Sequence, residues 1–410
     1  MTVESIIHKL ENKETLNYSE LRMIFNGYLN KSINDEIMTH VLKLIYNNGL
    51  SDQEIIDLTD IFVKSGEVLD FASYGITADK HSTGGVGDKV TLILGPILAS
   101  LDIKFPKMSG KGLGLTGGTI DKLESIPGIN VNLTNEEIYK QISEIGISLS
   151  GQTSSLVPLD KVIYDLRNAT NTVKSIPLIA VSIMCKKIAC GSKLVLIDVK
   201  CGLGALIENE NEANELIRIM NLIASKYNID LLTEITPMDN PLGSNIGNAL
   251  EVMEVIEILN GKENNLSELT LDLASKIISK IKNINYMDAY LLASSTIDNK
   301  TAYEKFKELI NYQGGNLNEL KVSSNIYNYK SLKSGIIKNI DALKIAQLVF
   351  DLGAGRKEIN DNVDYGVGVI IKKNIGDYVD KDDILMDIYY TKQSNFDNED
   401  YFVIEDDLNE

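Results

Sequence analysis

Two glycine-rich stretches, KHSTGGVGDKVT (Lys80 to Thr91) and KMSGKGLGLTGGTIDKLESIPG (Lys107 to Gly128), follow one another in this chain and limit what it can fold into. Each follows a short apolar run and opens a helix, so each turns backbone N–H groups and a helix dipole toward an anion. The first of these helices carries Val90, Ile93, Leu94, Ile97, Leu98 and Leu101 at the spacing of one apolar face, with Asp88 at the N-cap position. A second helix from about Thr119 is stopped by Pro127 and Gly128, which leaves Ser109, Thr116 and Thr119 to supply hydroxyls. A single glycine loop is often only a tight turn. Two of them, bounded by Lys80, Ser82, Thr91, Lys107, Ser109 and Thr119, describe a phosphate cradle.

A second constellation lies between residues 160 and 190, where two helices follow each other with no strand between them. Asp160, after Pro158, is placed to cap a helix on which Tyr164 and Arg167 are i, i+3 neighbours. Ser175 and Pro177 start the next, placing Ser182 and Lys186 at i, i+4. Polar residues on helices are usually a solvated stripe. Here Ile179, Ile183 and Ile188 make the second helix largely buried, and an unpaired buried lysine is costly, so a shared site is the better explanation. Of the histidines, His8 and His40 sit on N-terminal helices and are expected to pack or face solvent. His81 lies inside the first glycine loop.

Residues 1 to about 66 carry helical periodicity, in Ile6, Ile7 and Leu10, then Leu21, Ile24 and Phe25, then Met38, Val41, Leu42 and Ile45, then Ile55, Ile56, Leu58 and Ile61. The apolar faces within residues 1 to 45 exceed what so small a unit buries alone, so a homodimer through them is expected. From about 72, short buried runs (Ile103 to Phe105, Leu194 to Val199, Ile229 to Leu232) alternate with helices, as a parallel or mixed α/β sheet requires. Residues 206 to 228 read as an acidic amphipathic helix with a solvated outer face and no functional signal. From about 335 the pattern is β alternation. Within it, GDYVDKDDILM (Gly376 to Met386) is similar to half of a lipoyl or biotinyl carrier repeat, but no lysine-centred hairpin joins two such halves, so no covalent cofactor is expected.

A chain of 410 residues with 44% hydrophobic content supports two or three domains. Its net charge of −18 argues against nucleic acid as a partner. No apolar run is long enough to span a bilayer and the N-terminus lacks a signal-peptide pattern, so a cytoplasmic location is expected. Cys185, Cys190 and Cys201 fit neither a disulfide framework nor a zinc motif and read as free thiols. Arg22, Arg167, Arg218 and Arg356 are the only arginines among 40 basic residues.

The run Lys80 to Gly128, with YDLRNATNTVKSIPLIAVSIMCKK (Tyr164 to Lys187), LIDVKCGLGA (Leu196 to Ala205), MDNPLGSNIGNALEV (Met238 to Val252) and LGAGR (Leu352 to Arg356), resembles the pyrimidine-nucleoside phosphorylase and thymidine phosphorylase family, also called nucleoside phosphorylase II, over nearly the whole chain. Within it the likeness is nearer to the pyrimidine-nucleoside phosphorylases. The resemblance implies an α/β fold with a separate helical domain (1–66 and 160–190), a phosphate-binding α/β domain (72–158 and 193–333) and a C-terminal α+β part (334–410). It implies reversible phosphorolysis of uridine and thymidine or deoxyuridine to free base and pentose 1-phosphate, with inorganic phosphate as co-substrate and no organic cofactor. Arg167, Lys186 and His81 are the catalytic residues it implies, with Tyr164 and Ser182 binding the base beside Arg167 and Lys186. Lys80, His81, Ser82, Thr91, Lys107, Met108, Ser109 and Thr119 are its phosphate ligands. A monovalent cation such as potassium is implied at the carbonyls of Gly87, Lys89, Leu242 and Asn245 and the Glu254 carboxylate.

Two positions depart from the family, Lys111 for an arginine and Leu115 for a histidine. The resemblance also implies use of both uridine and thymidine, since family members that accept both carry lysine where this chain has Lys107, and cytidine is not expected as a substrate because Arg167 and Lys186 need acceptors where cytosine carries an amino donor. Three other functions fit less of the sequence. They are a thymidine-restricted enzyme, a phosphoribosyltransferase of the anthranilate type, and a non-catalytic relative that binds nucleoside or phosphate.

Overall fold

The computed structural model describes residues 2–406 except 113, 116, 154, 357–360, 393–395 and 397–398, so Thr116 lies outside the described residues. Helices α1 (Val3–Glu11), α2 (Tyr18–Leu29), α3 (Asp35–Asn48) and α4 (Asp52–Val63) form where the 3.6-residue period predicted them. Side chains of Thr2, Asn17, Asn34 and Ser51 accept the free N–H groups at their starts.

The chain then alternates: β1 (Ala78–Ser82), α5 (Val90–Ser100), β2 (Phe105–Ser109), α6 (Thr119–Glu124), α7 (Asn135–Ile145) and β3 (Ile147–Gly151). Helices α8 (Pro158–Ala169) and α9 (Ile176–Ala189) return to the N-terminal bundle, where α9 packs on α4. After them come β4 (Leu194–Cys201), α10 (Glu210–Tyr227) and β5 (Asp230–Pro237). Strands β1, β4 and β5 pair in parallel in that order, and β2 and β3 form a parallel pair beside β1, joined through a Thr77–Lys104 bridge. The sheet is parallel throughout. Its strands therefore end together, and the helix-opening loops gather at one edge.

Strand β6 (Asn245–Ile246) and helices α11 (Asn248–Leu259), α12 (Asn265–Lys282), α13 (Tyr286–Asp298) and α14 (Thr301–Tyr312) complete this unit. The C-terminal part holds β7 (Asn325–Lys330), β8 (Gly335–Ile340), α15 (Ala342–Val349), β9 (Gly368–Ile371), β10 (Tyr378–Val379), β11 (Ile384–Tyr390) and β12 (Phe402–Glu405). Its antiparallel sheets run β6-β9-β11-β7 and β10-β8-β12.

Several expectations change. Helix α5 has no single apolar face: every residue from Val90 to Ala99 is buried, because it fills the space between sheet and outer helices. Its N-cap is Lys89, and Asp88 accepts the Val90 N–H from one position earlier. Strand β7, ahead of residue 334, pairs with β11, and β6 pairs with β9, so the C-terminal sheet also draws on strands that precede it in the chain. Helix α10 buries Leu216, Ile219, Met220 and Ile223 in the core of the helical bundle, so the acidic helix joins both domains. The apolar residues of α1–α3 that suggested a dimer, apart from half-buried Ile7, are buried within one chain, because these helices pack on one another and on α4 and α8.

Candidate active site

A cleft of about 560 Å³ lies between α8 and α9 on one side and the C-terminal ends of β1, β2 and β3 on the other. His81, Ser82, Thr91, Lys107, Met108, Ser109 and Thr119 line one wall, and Tyr164, Arg167, Ser182 and Lys186 line the other. The parallel register sets His81 opposite Ile197 and Ser82 opposite Asp198, so both sit at the strand end where the first glycine loop leaves the sheet. A second, shallower depression of about 880 Å³, lined by Glu304, Lys305, Lys307 and Glu308, carries none of these groups.

Lys80 is the exception among the residues assigned to phosphate. It does not line the cleft, and its fully buried ammonium lies 2.9 Å from Asp198 and 3.7 Å from Asp88. Burial lowers the pKa of this lysine, but the two carboxylates outweigh it and keep Lys80 charged. Lys80 therefore anchors the base of the loop, and Ser82 Oγ accepts the Gly84 N–H at 3.1 Å to shape the turn.

Four lysines surround His81. Burial, and then the charges of Lys187, Lys107, Lys186 and Lys80, push its pKa well below the usual histidine value, so the imidazole is neutral and offers one N–H. Lys107 donates to the Met108 carbonyl at 2.8 Å and lies 3.6 Å from Asp79, whose carboxylate is taken at 2.5 Å by the buried Lys187. Burial and the Lys187 charge lower the Lys107 pKa to about 7, while Lys187 keeps its proton.

On the opposite wall the helical spacing holds. Arg167, 2% exposed, donates from Nη2 to the Val173 carbonyl at 2.7 Å, from Nη1 to Leu178 at 3.1 Å and from Nε to Thr172 at 3.4 Å. Three of its five N–H groups are thus fixed by the turn between α8 and α9 and by the start of α9, and two are left for the cleft. Burial lowers its pKa to about 10, which leaves it charged at neutral pH. Lys186 donates to Asp160 at 2.8 Å and to Ser182 Oγ at 2.9 Å, with its ammonium 5.8 Å from the Tyr164 ring centre. From the sequence alone, Asp160 is expected only to cap the helix. It sits instead in the first turn of α8, after a Val157 N-cap, and orients Lys186.

The second loop has its own organiser. Asp121 accepts the N–H groups of Gly112 (2.6 Å) and Gly118 (3.0 Å) and pairs with Arg356, which reaches the cleft from the C-terminal part. Lys111, the replacement for the family arginine, pairs with Glu124 at 2.7 Å, and Leu115 packs against the α/β core. His8 and His40 are exposed, and the three cysteines are free.

Three chain crossings join the two walls, at 67–73, 155–159 and 189–193, and they lie side by side. Glu67 N–H donates to the Ser155 carbonyl and Leu69 N–H to Ala189, both at 2.8 Å. Val157 in the middle crossing is held at φ 47°, an unusual conformation for a β-branched residue.

The residues implied for a cation also converge, with a difference. The Lys89 ammonium itself donates to the carbonyls of Leu242 (3.0 Å) and Asn245 (2.7 Å) and lies 2.8 Å from Glu254 Oε2. The oxygens that were to hold a metal ion are occupied by a side chain, so the cation does not fit. Among the described residues no cluster of three or more His, Cys, Asp or Glu is arranged to hold a metal.

Residues 4–66 match the profile described as glycosyl transferase family, helical bundle domain, residues 74–310 that of its a/b domain, and residues 336–400 the pyrimidine nucleoside phosphorylase C-terminal domain. The chain is 40% identical to a pyrimidine-nucleoside phosphorylase of Bacillus subtilis (strain 168) over 96% of this chain and 93% of the relative. It is 37% identical, with the same coverage, to that of Geobacillus stearothermophilus. The crystal structure of an anthranilate phosphoribosyltransferase from Thermus thermophilus shares the fold, with a TM-score of 0.61 and 13% identity over 75% of this chain and 99% of that one. Among the described residues no helix is long and apolar enough to cross a membrane. With identity of this extent and both walls of the cleft in place, the chain belongs to the pyrimidine-nucleoside phosphorylase family.

Proposed function

We infer that the protein cleaves pyrimidine nucleosides reversibly with inorganic phosphate, giving the free base and a pentose 1-phosphate. One observation carries this reading: Arg167, with two N–H groups free, and the Asp160-oriented Lys186 face two anion-binding glycine loops across a single cleft. Phosphate is held by loop N–H groups, by the hydroxyls of Ser82, Thr91, Ser109 and Thr119, and by Lys107. It is ionised already and needs positioning more than activation. As a phosphate oxygen bonds to C1 of the sugar, the C1–N bond breaks and its electron pair leaves with the base. Arg167 and Lys186 take the negative charge that spreads onto the ring oxygens, and neutral His81 donates one further hydrogen bond. Lys80 supports the loop from below.

Uridine and thymidine both fit these donors, whereas cytidine presents an amino group to them. Domain closure about the three crossings brings the walls together. We place the protein in the cytoplasm as a homodimer. The free thiols suit a reducing compartment, and half-buried Ile7, Met23, Ile37 and Leu44 on the helical domain offer a contact face. Phosphate-dependent release of uracil from uridine, followed by absorbance, tests the activity.

A further inference from the structure

Glu254 is fully buried on α11, and two backbone carbonyls converge beside it. Such a cluster of oxygens demands a positive charge. An ammonium has three N–H donors, and the three oxygens here use all of them. The packing is equally closed: a Cβ on Gly87 would lie 2.5 Å from the Leu242 carbonyl oxygen and 3.4 Å from Lys89 Nζ, and one on Gly243 would lie 2.6 Å from Glu254 Oε2. Burial raises the Glu254 pKa, but the Lys89 charge, its hydrogen bond and the N–H groups of Ser244 and Asn245 outweigh it, so the carboxylate stays ionised. A metal ion entering would meet a like charge at contact distance in a buried site.

The cluster also has a mechanical position. Lys89 ends the first glycine loop and caps α5, and the Leu242 N–H donates to the Val86 carbonyl at 3.0 Å. Asn245 lies in β6, which pairs with β9 of the C-terminal sheet. One charged side chain thus joins the phosphate loop to the C-terminal part. An ion drawn from solution would do this only at sufficient concentration, whereas a tethered ammonium is always present.

We propose that the Lys89 ammonium replaces the monovalent metal ion that the family resemblance implies at this place, so that neither the stability nor the phosphate loop of this protein depends on potassium or sodium. The test is thermal unfolding of the wild type and of Lys89→Ser in potassium, ammonium or tetramethylammonium chloride at equal ionic strength. Because the readout is unfolding, its outcome is independent of the reaction proposed above. The wild type is expected to have the same Tm in all three salts. Lys89→Ser, which leaves the three oxygens without a cation, is expected to have a lower Tm in tetramethylammonium that climbs saturably as potassium or ammonium is added. A wild-type Tm that rises saturably with potassium overturns the proposal, and so does a folded Lys89→Ser indifferent to every cation. If Lys89→Ser is insoluble in all salts, the wild-type comparison alone decides, since potassium dependence there refutes the proposal and indifference supports it.

Discussion

Lys107 is the cleft residue whose charge changes within a practical pH range. Its folded pKa of about 7 lies below the ordinary 10.5, so the folded protein binds fewer protons than the unfolded chain between those values. The unfavourable contribution of this lysine to stability is therefore complete below pH 7 and fades as pH rises toward 10.5. Bound phosphate reverses the preference by favouring the ammonium, so phosphate binding takes up a proton and KM for phosphate rises above pH 7. In Lys107→Met that rise is expected to vanish once the titration of phosphate itself is divided out; equal slopes in both proteins would remove Lys107 from the phosphate site. Arg167→Ala and Lys186→Ala are expected to lower kcat by about 100-fold or more while circular dichroism stays native, since their charge acts on the transition state. Asp160→Asn, which releases Lys186 from its partner, should lower kcat less and move the alkaline limb of the rate profile to lower pH. An unmoved limb would reduce Asp160 to a structural role. Tyr164, Arg167, Ser182 and Lys186 were legible because helical spacing puts them on facing surfaces. The part played by Asp160 was not, since a carboxylate in a first helical turn looks the same whether it caps the helix or orients a lysine. Asp121 and Arg356 lie 235 residues apart, and no local pattern reports such a pair.

At the scale of elements, periodicity reported what local burial dictates and was blind elsewhere. The four N-terminal helices each bury one stripe, and their positions follow from the sequence. No short apolar run makes up the strand before the first glycine loop: β1 (ADKHS) has no apolar alternation, because its charges are buried in pairs with Asp198 and Lys187. The apolar face read on α5 left out Leu92 and the small residues Gly95, Pro96 and Ala99, which are buried as well. The mutual contact of the three crossings between the walls was not readable, because it joins segments far apart in the chain. Gly191, at φ 74°, would bring a Cβ within 2.1 Å of the Leu69 carbonyl oxygen. Gly191→Ala is therefore expected to cost roughly 1–3 kcal/mol, measured as the shift of the urea midpoint, with turnover impaired further if the crossings act as hinges. A midpoint equal to that of the wild type would show that the contact yields easily.

For the whole molecule, the parallel sheet gathers the two glycine loops at one edge, the returning helices bring Arg167 and Lys186 opposite them, and the C-terminal part reaches in through Arg356. The architecture was legible, whereas the contributions of α10 and β6 to neighbouring units were not, because both depend on tertiary partners. Sedimentation at micromolar concentration is expected to give a dimer, and Met23→Lys on the half-buried face of α2 should shift it toward monomer; a wild-type monomer would contradict the proposed contact. The central claim concerns chemistry across the cleft. It is tested most directly by incubating the purified protein with uridine, thymidine or cytidine, with and without inorganic phosphate, and following free base and pentose 1-phosphate. Release of uracil and thymine that requires phosphate and yields the sugar phosphate in equal amount, with cytidine untouched, is the predicted result. Base release without phosphate, or none from either uridine or thymidine, would contradict the account.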